Sequence, residues 1–261
     1  MIEISWYILK VLIVSGILTG YYFLALKDKV FHKWNRFYLL FTVVLSLVLP
    51  FISIDVRTPI AAEQGTAIKV LQAVTVQDQL IIEMGQKSSF LTANNLIVSG
   101  YMLISLVFIG ILLRTLLKIY RIKRNYPSTE VKGINFINTN DKSTPFSFFN
   151  SIFWNQSIDL HSSRGQQIFN HELAHVKEKH THDKIFMNVV LLFFWVNPFF
   201  WIIRKELNMI HEFVADKMSV EDGDINAFAE MILSSVYPGE QFSLTNNFFY
   251  SPIKRRLLML S

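Results

Sequence analysis

His171-Glu172-Leu173-Ala174-His175 has the H-E-x-x-H spacing, with two histidines four residues apart. Residues four apart fall on one face of an α-helix, close enough for both imidazoles to bind one metal ion. Imidazole nitrogens suit Zn²⁺, and three protein ligands leave a fourth position for an acidified water. Glu172 is placed to take that water's proton as a general base. The alternative interpretation is a chance pentapeptide on a solvated helix.

A third ligand has to come from outside this pentapeptide. The metzincin extension would need glycine and histidine where the chain has Glu178 and Thr181, so that pattern is absent. His180 and His182 lie nearby but off that spacing. We expect them to be solvated residues at a helix end or groups that support the ligands.

A second cluster of metal-binding residue types follows downstream, at residues 211–216. Glu212 and Asp216 are four apart and therefore share a helical face. Glu212 is the candidate third ligand, and Asp216 is suited to hold a ligand histidine through its second ring nitrogen. We interpret His211 as a histidine on the helix surface.

Three segments resemble the BlaR/MecR family of membrane-bound zinc metallopeptidases. They are H-E-L-A-H-V-K-E-K-H-T-H-D (171–183), W-V-N-P-F-F-W-I-I-R-K (195–205) and H-E-F-V-A-D (211–216). Phe148–Trp154 and residues 251–256 are also similar to family segments.

The resemblance implies a gluzincin-type site with one zinc ion per chain. In that site His171, His175 and Glu212 would be the zinc ligands, Glu172 the catalytic base and Asp216 the supporting carboxylate. Characterised members are antirepressors that sense β-lactams outside the cell and trigger loss of a DNA-binding repressor inside it. Such a repressor is therefore one candidate substrate.

The composition indicates a membrane protein. Of the 261 residues 51% are hydrophobic and 17% charged, and 23 are Phe, which is too apolar for an ordinary soluble domain. The net charge of +5 arises mostly from basic residues that flank apolar runs, so we expect no direct contact with nucleic acid. The absence of cysteine excludes disulfides and thiolate metal sites.

Apolar runs divide the chain into four regions. We predict transmembrane helices at Ile4–Leu26, Phe37–Ile54 and Leu96–Leu117. The first run covers about 35 Å as a helix and lacks a cleavage site, so we interpret it as a retained anchor. The predicted regions are 1–54 (two helices and a short cytoplasmic loop), 55–93 (an extracytoplasmic loop), 94–117 (the third helix) and 118–261 (the peptidase domain).

The basic residues predict the orientation in the membrane. They concentrate at residues 27–36 and 118–124 and are sparse in the 55–93 loop. Because positive charge favours the cytoplasmic side, we expect the N-terminus outside and the zinc motif in the cytoplasm. The resemblance places such a multi-pass protein in the bacterial inner (cytoplasmic) membrane.

A small sheet is predicted before the zinc motif. Asn125–Glu130 is interpreted as a linker, whereas Gly133–Thr139 and Phe146–Trp154 are rich in aromatic and β-branched residues. From the resemblance we assign Phe148–Phe153 as an edge strand that pairs with the substrate backbone, with a plain core strand as the alternative. Ser162 or Ser163 is expected to cap the zinc-motif helix, which is too polar for lipid.

The apolar run at 185–203 lies between the histidines and Glu212. A full crossing of the membrane would separate Glu212 from His171 and His175, so we predict a re-entrant hairpin broken at Asn197-Pro198. It would dip into the bilayer or pack on the transmembrane helices. Three later elements are predicted: a helix over Lys205–Met218, a helix over Asn226–Val236, and a membrane-surface segment over Ser251–Ser261.

Together these patterns predict an α-helical membrane protein with three transmembrane helices, a re-entrant helical hairpin and a small cytoplasmic α+β zincin-like peptidase domain. We expect a zinc endopeptidase that hydrolyses a cytoplasmic protein or itself during transmembrane signalling. Its expected partners are the lipid bilayer and a protein or peptide substrate, and the sequence leaves open whether the chain also forms a homodimer. The alternatives are a non-catalytic receptor or scaffold with the same fold, and a transport component with structural zinc.

Overall fold

A computed structural model of the protein describes residues 2–27, 29–52, 92–131, 133–141, 143–220 and 251–259. The chain forms two units. Residues 52–108 make one unit, whose described part is chiefly the beginning of a long helix. Residues 1–51 and 109–261 make the other unit, which contains all the residues of the predicted site.

Within the described ranges, three helices are long and apolar enough to cross a membrane, as predicted. α1 (Ile2–Tyr21) continues into a π-helical turn at Tyr22–Leu26. α2 (His32–Val48) ends in a 3₁₀ turn at Leu49–Phe51. α3 spans Ala93–Asn125.

Two of these helices begin or end outside the predicted apolar spans. α2 begins at His32 rather than residue 37, and α3 continues to Asn125 rather than residue 117. Both extensions are rich in Lys and Arg, which are good helix formers. A loss of apolar character therefore ends an apolar run of the sequence without ending the helix.

A four-stranded mixed sheet follows α3, in the order β1-β2-β4-β3. Its strands are β1 (Ser128–Val131), β2 (Ile134–Thr139), β3 (Phe146–Phe148) and β4 (Ser151–Asn155). β2 and β4 are parallel, and the other two pairs are antiparallel. The predicted linker is thus partly strand β1.

The structure corrects the prediction for Phe146–Trp154. This segment is a hairpin of two strands, which turns at Phe149 with a φ of 48°. β4 is the inner strand of the pair and is mostly buried, so the assignment of Phe148–Phe153 as an edge strand is wrong. The edge next to β4 is β3 (Phe146–Phe148).

The inner strand β4 packs on both of its faces. Ile152 and Trp154 contact the zinc-motif helix through Val176, while Phe153 points to the opposite side and packs with Ile122 of α3. The zinc-motif helix is α4 (Ser163–Lys177). Ser162 accepts a hydrogen bond from the backbone N–H of Gly165 (3.0 Å), which confirms the first of the two predicted caps.

The apolar run at 185–203 forms parts of two helices. α5 (His180–Phe193) ends before the predicted break, and α6 begins at Pro198 and continues to Val220. The break is confirmed, but no new helix begins at Lys205 because α6 runs without interruption from the turn to Glu212. Both helices share one apolar core with α1 and α2.

The last described helix is α7 (Ser251–Leu258), and it packs against α6. Its arginines form ion pairs with acidic residues of α6. The interpretation of residues 251–261 as a membrane-surface segment stays a prediction. The predicted helix at Asn226–Val236 lies outside the described residues.

Candidate metal centre

The three predicted ligands converge between α4 and α6. His171 and His175 lie on one face of α4, with their Nε2 atoms 3.2 Å apart. Glu212 lies on α6, with Oε2 3.5 Å from His171 Nε2 and Oε1 3.7 Å from His175 Nε2. One potential ligand atom from each residue therefore lies within 4.8 Å of the other two.

These distances fit a zinc ion. Ligands at about 2.0–2.1 Å from zinc in a tetrahedron lie about 3.3 Å from one another. Two Nε2 atoms that face each other at 3.2 Å need a cation or a shared proton between them, because both carry lone pairs. The set of two imidazoles and one carboxylate also suits a catalytic zinc ion with an open fourth position.

Asp216 lies behind His171. Its carboxylate is fully buried, and Oδ1 is 3.2 Å from His171 Nδ1. Arg256 of α7 donates hydrogen bonds to both oxygens of Asp216, at 2.6 and 2.7 Å. Arg256 Nη1 also lies 3.4 Å from Glu212 Oε2, so α7 covers this side of the cluster.

His175 has a different supporting partner, His180, whose side chain is buried. Their Nδ1 atoms are 2.7 Å apart, and His180 stacks on His211 with ring centroids 4.1 Å apart. His211 Nε2 donates to Asp183 (2.8 Å), which also accepts from Arg36 Nε of α2 (2.6 Å). A continuous chain of buried polar groups therefore joins α2 to a candidate ligand.

One sequence interpretation is wrong at this point, because His211 is fully buried rather than on the helix surface. Of the two interpretations given for His180, its burial excludes a solvated helix end, and its contact with His175 agrees with a group that supports a ligand. His182 is exposed, and its ring lies edge-on to Phe149. Since His180 contacts the Nδ1 side of His175, opposite the Nε2 atom, it is not in position to bind a reacting carbonyl oxygen.

Glu172 lies beside the cluster and next to the sheet edge. Burial raises its pKa, while the charge on His171 and a hydrogen bond with Ser147 of β3 oppose that shift. A carboxylate with a raised pKa is suited to accept and return a proton near neutral pH. The contact with Ser147 also brings the edge strand next to the expected catalytic base.

The pKa values of the three candidate ligands are moved far apart. Burial lowers the pKa of His171, but contacts with Asp216 and Glu212 outweigh it and raise the value to about 9. Burial and the charge on His171 lower the pKa of His175 to about 3. For Glu212, burial is outweighed by His171 and other cations, so its pKa is lowered. Pairs of groups with pKa values moved apart in this way are typical of functional sites.

The sequence analysis gave His180 as one possible supporting residue but did not find His211 and Arg256 in that role. The spacing 180–183 does carry a signal, since His180 and Asp183 are three apart and so share a face of α5. Arg256 has no local signal, because Asp216 is 40 residues away in sequence.

A comparison with known protein families finds one match. Residues 151–260 match the family model described as BlaR1 peptidase M56. The match covers β4, α4, the α5–α6 hairpin and α7, and hence every candidate ligand. A search of curated proteins finds no match to the chain.

Proposed function

Since residues 151–260 belong to the BlaR1 peptidase M56 family, we propose that the protein is a membrane-anchored zinc endopeptidase. It would hydrolyse a peptide bond of a cytoplasmic protein, or of itself, during transmembrane signalling. A DNA-binding repressor is one candidate substrate. The observation that carries the proposal is the convergence of His171, His175 and Glu212 beside Glu172.

In this proposal each residue has a distinct task. His171, His175 and Glu212 hold one zinc ion, which, when bound, polarises a scissile carbonyl and acidifies a water. Glu172 accepts a proton from the attacking water and returns it to the leaving amine. Asp216 orients the ring of His171 through Nδ1, and His180 does the same for His175.

The free edge of β3 is the proposed binding surface for the substrate backbone. In the part of the chain that the structure describes, β3 pairs only with β4, which leaves its outer edge open. An extended peptide can add to such an edge through backbone hydrogen bonds. Because Ser147 of β3 contacts Glu172, a peptide bound there would run past the catalytic base.

The α5–α6 hairpin is the proposed re-entrant element. Asn197 at its turn donates a hydrogen bond to Ser15 Oγ (2.9 Å), and Ser15 is near the middle of the candidate span Ser5–Leu26. If α1 crosses the bilayer, this contact carries the turn to about half its depth. Glu206, further along α6, is 3.4 Å from the hydroxyl of Tyr22, which follows directly after the C-terminal end of α1.

Ion pairs between residues 178–183 and the basic region after α1 support a cytoplasmic active site. Asp183 and Glu178 pair with Arg36 and Lys33, which belong to the basic region between α1 and α2. The positive-inside rule assigns that region to the cytoplasm. Since the candidate ligands lie on the same end of the helices, the peptidase domain would face the cytoplasm of a bacterial inner membrane.

A cleavage assay tests the proposed activity. Purified protein and a Glu172→Gln variant are incubated separately with zinc and with candidate cytosolic proteins, and fragments are identified by mass spectrometry. We expect cleavage of a substrate or of the chain itself by the wild type alone. A zinc-loaded wild type with no activity in any of these assays, with and without a cell lysate, would favour the non-catalytic receptor or scaffold.

The chain contains no cysteine, so single-cysteine labelling can test the orientation directly. We expect a membrane-impermeant maleimide to label Gln64→Cys in intact spheroplasts and the exposed position Lys177→Cys only after lysis. The reverse pattern would contradict the proposed orientation.

A further inference from the structure

A basic pocket adjoins the candidate metal centre, between α5 and α6. It has a volume of about 390 Å³, and Glu212 forms part of its wall. The other lining residues are two cations, two amides and two apolar side chains: Lys184, Arg204, Asn188, Asn208, Met187 and Leu207. The pocket therefore opens beside the carboxylate that is expected to bind zinc.

Among the residues that the structure describes, neither Lys184 nor Arg204 forms an ion pair with a carboxylate. Arg204 is positioned by the ring of Trp201, with its guanidinium carbon 5.7 Å from the ring centroid. Among the described residues of the pocket wall Glu212 is the one acid, and its oxygens point to His171, His175 and Arg256.

The amides and the floor of the pocket complete a site for a carboxylate. Asn188 and Asn208 are half-buried and can each donate hydrogen bonds from a side-chain amide. Met187 and Leu207 are buried and form an apolar floor suited to the methylenes of an acidic side chain. Lysine, arginine and amide donors around one cavity match a single carboxylate better than a neutral or cationic group.

The pocket lies close to the place where the peptide bond would be cleaved. An extended chain advances about 3.3–3.6 Å per residue, so a pocket that shares Glu212 with the metal centre is within about three residues of that bond.

We propose that this pocket binds an acidic side chain of the peptide substrate, so that the peptidase prefers Asp or Glu at one position near the cleaved bond. The inference rests on the proposed peptidase function and adds the class of substrate sequence to it. An anionic lipid headgroup carries a negative charge as an acidic side chain does. Because Glu212, a candidate zinc ligand, forms part of the pocket wall, the location favours a peptide substrate.

A binding assay tests the preference without requiring catalysis. Zinc-loaded Glu172→Gln protein in detergent is titrated into two fluorescent pools of dodecapeptides. The pools differ only in one fixed residue, Glu or Gln, and every other side chain is uncharged. Loss of a charged hydrogen bond costs about tenfold in affinity, so we expect the Glu pool to bind at least about tenfold more tightly. Lys184→Gln and Arg204→Gln in the same background should each remove most of this difference.

Lys205→Gln is the matched control, because Lys205 is adjacent to Arg204 but exposed and outside the pocket. It should retain the full preference. Charge reversal by Lys184→Glu should shift the preference toward a pool with Lys at the fixed position. Equal binding of the Glu and Gln pools by the parent protein, or a preference that survives both substitutions, would overturn the proposal.

Two further readouts separate the possible failures. If wild-type protein cleaves a proteome-derived peptide library with no acidic preference, the pocket proposal fails while the peptidase stands. If acidic peptides bind selectively but nothing is cleaved, the pocket stands without the proposed activity. If dihexanoylphosphatidylglycerol binding depends on Lys184 and Arg204 while the two peptide pools bind equally, the pocket is a lipid headgroup site and the proposal is overturned.

Discussion

His180 offers the sharpest test of how the candidate metal centre is built. Its Nδ1 lies 2.7 Å from Nδ1 of His175, the nitrogen opposite the one that faces the other ligands. If His175 binds zinc through Nε2, its Nδ1 carries a proton and needs an acceptor. His180→Phe keeps an aromatic ring that can stack on His211 but removes that acceptor.

The expected effect is a loss of zinc affinity. Removing a partner that orients a ligand histidine typically weakens metal binding about 10–100-fold, which corresponds to about 1.4–2.7 kcal/mol. His180→Asn should recover much of the loss, because its side-chain oxygen lies near the position of Nδ1. His182→Phe, two residues away on an exposed face, is the matched control and should bind zinc as the wild type does.

The assay is competition for zinc against a chromophoric chelator in detergent, with thermal unfolding measured in parallel. A structural role alone would lower the unfolding temperature of His180→Phe and His180→Asn alike without separating their zinc affinities. Wild-type zinc affinity in His180→Phe would refute the reasoning, because His175 would then need no acceptor from this residue.

Three further predictions concern stability in detergent. Arg36→Gln leaves the buried carboxylate of Asp183 with one partner fewer and should lower the free energy of unfolding by about 3 kcal/mol. In chemical unfolding, the double variant Arg36→Met/Asp183→Asn should recover most of this loss. No recovery would contradict the ion-pair account. Burial would raise the pKa of Asp183, but His211 and Arg36 outweigh it and hold the pKa below the ordinary value of 3.8. Ionised Asp183 therefore stabilises the fold above pH 3.8, and this contribution is lost at lower pH. The difference in free energy of unfolding between the wild type and Asp183→Asn should shrink from pH 6 to pH 3. A constant difference would exclude this titration. Gly165→Ala should cost about 1–3 kcal/mol because its Cβ would collide with the carbonyl of Asp159, whereas Gly20→Ala, which has open space, should not destabilise the protein in thermal unfolding.

The local parts of the site could be predicted from the sequence. His171 and His175 are one helical turn apart, as are Glu212 and Asp216, so the faces they share follow from helix geometry alone. The break before Pro198 likewise follows from the effect of proline on the preceding residue. These features depend on neighbours within four residues.

The environment of the site depends on distant residues, and the sequence predicted it poorly. Polar residues at 180–183 suggested a solvated helix end, but Arg36, 147 residues from Asp183, pairs with it and buries this turn. The turn at Phe149 contains no glycine or proline, and its backbone N–H is bonded to Thr181 Oγ1 (3.0 Å). The two strands around it were therefore predicted as one.

The most direct test of the metal centre is the zinc content of the purified protein, measured by inductively coupled plasma mass spectrometry. We expect one zinc ion per chain in the wild type and in Glu172→Gln, and less than one tenth of that in Glu212→Ala after dialysis against a mild chelator. A wild type that binds no added zinc, or a Glu212→Ala variant that retains a full equivalent, would contradict the assignment of His171, His175 and Glu212 as the ligands.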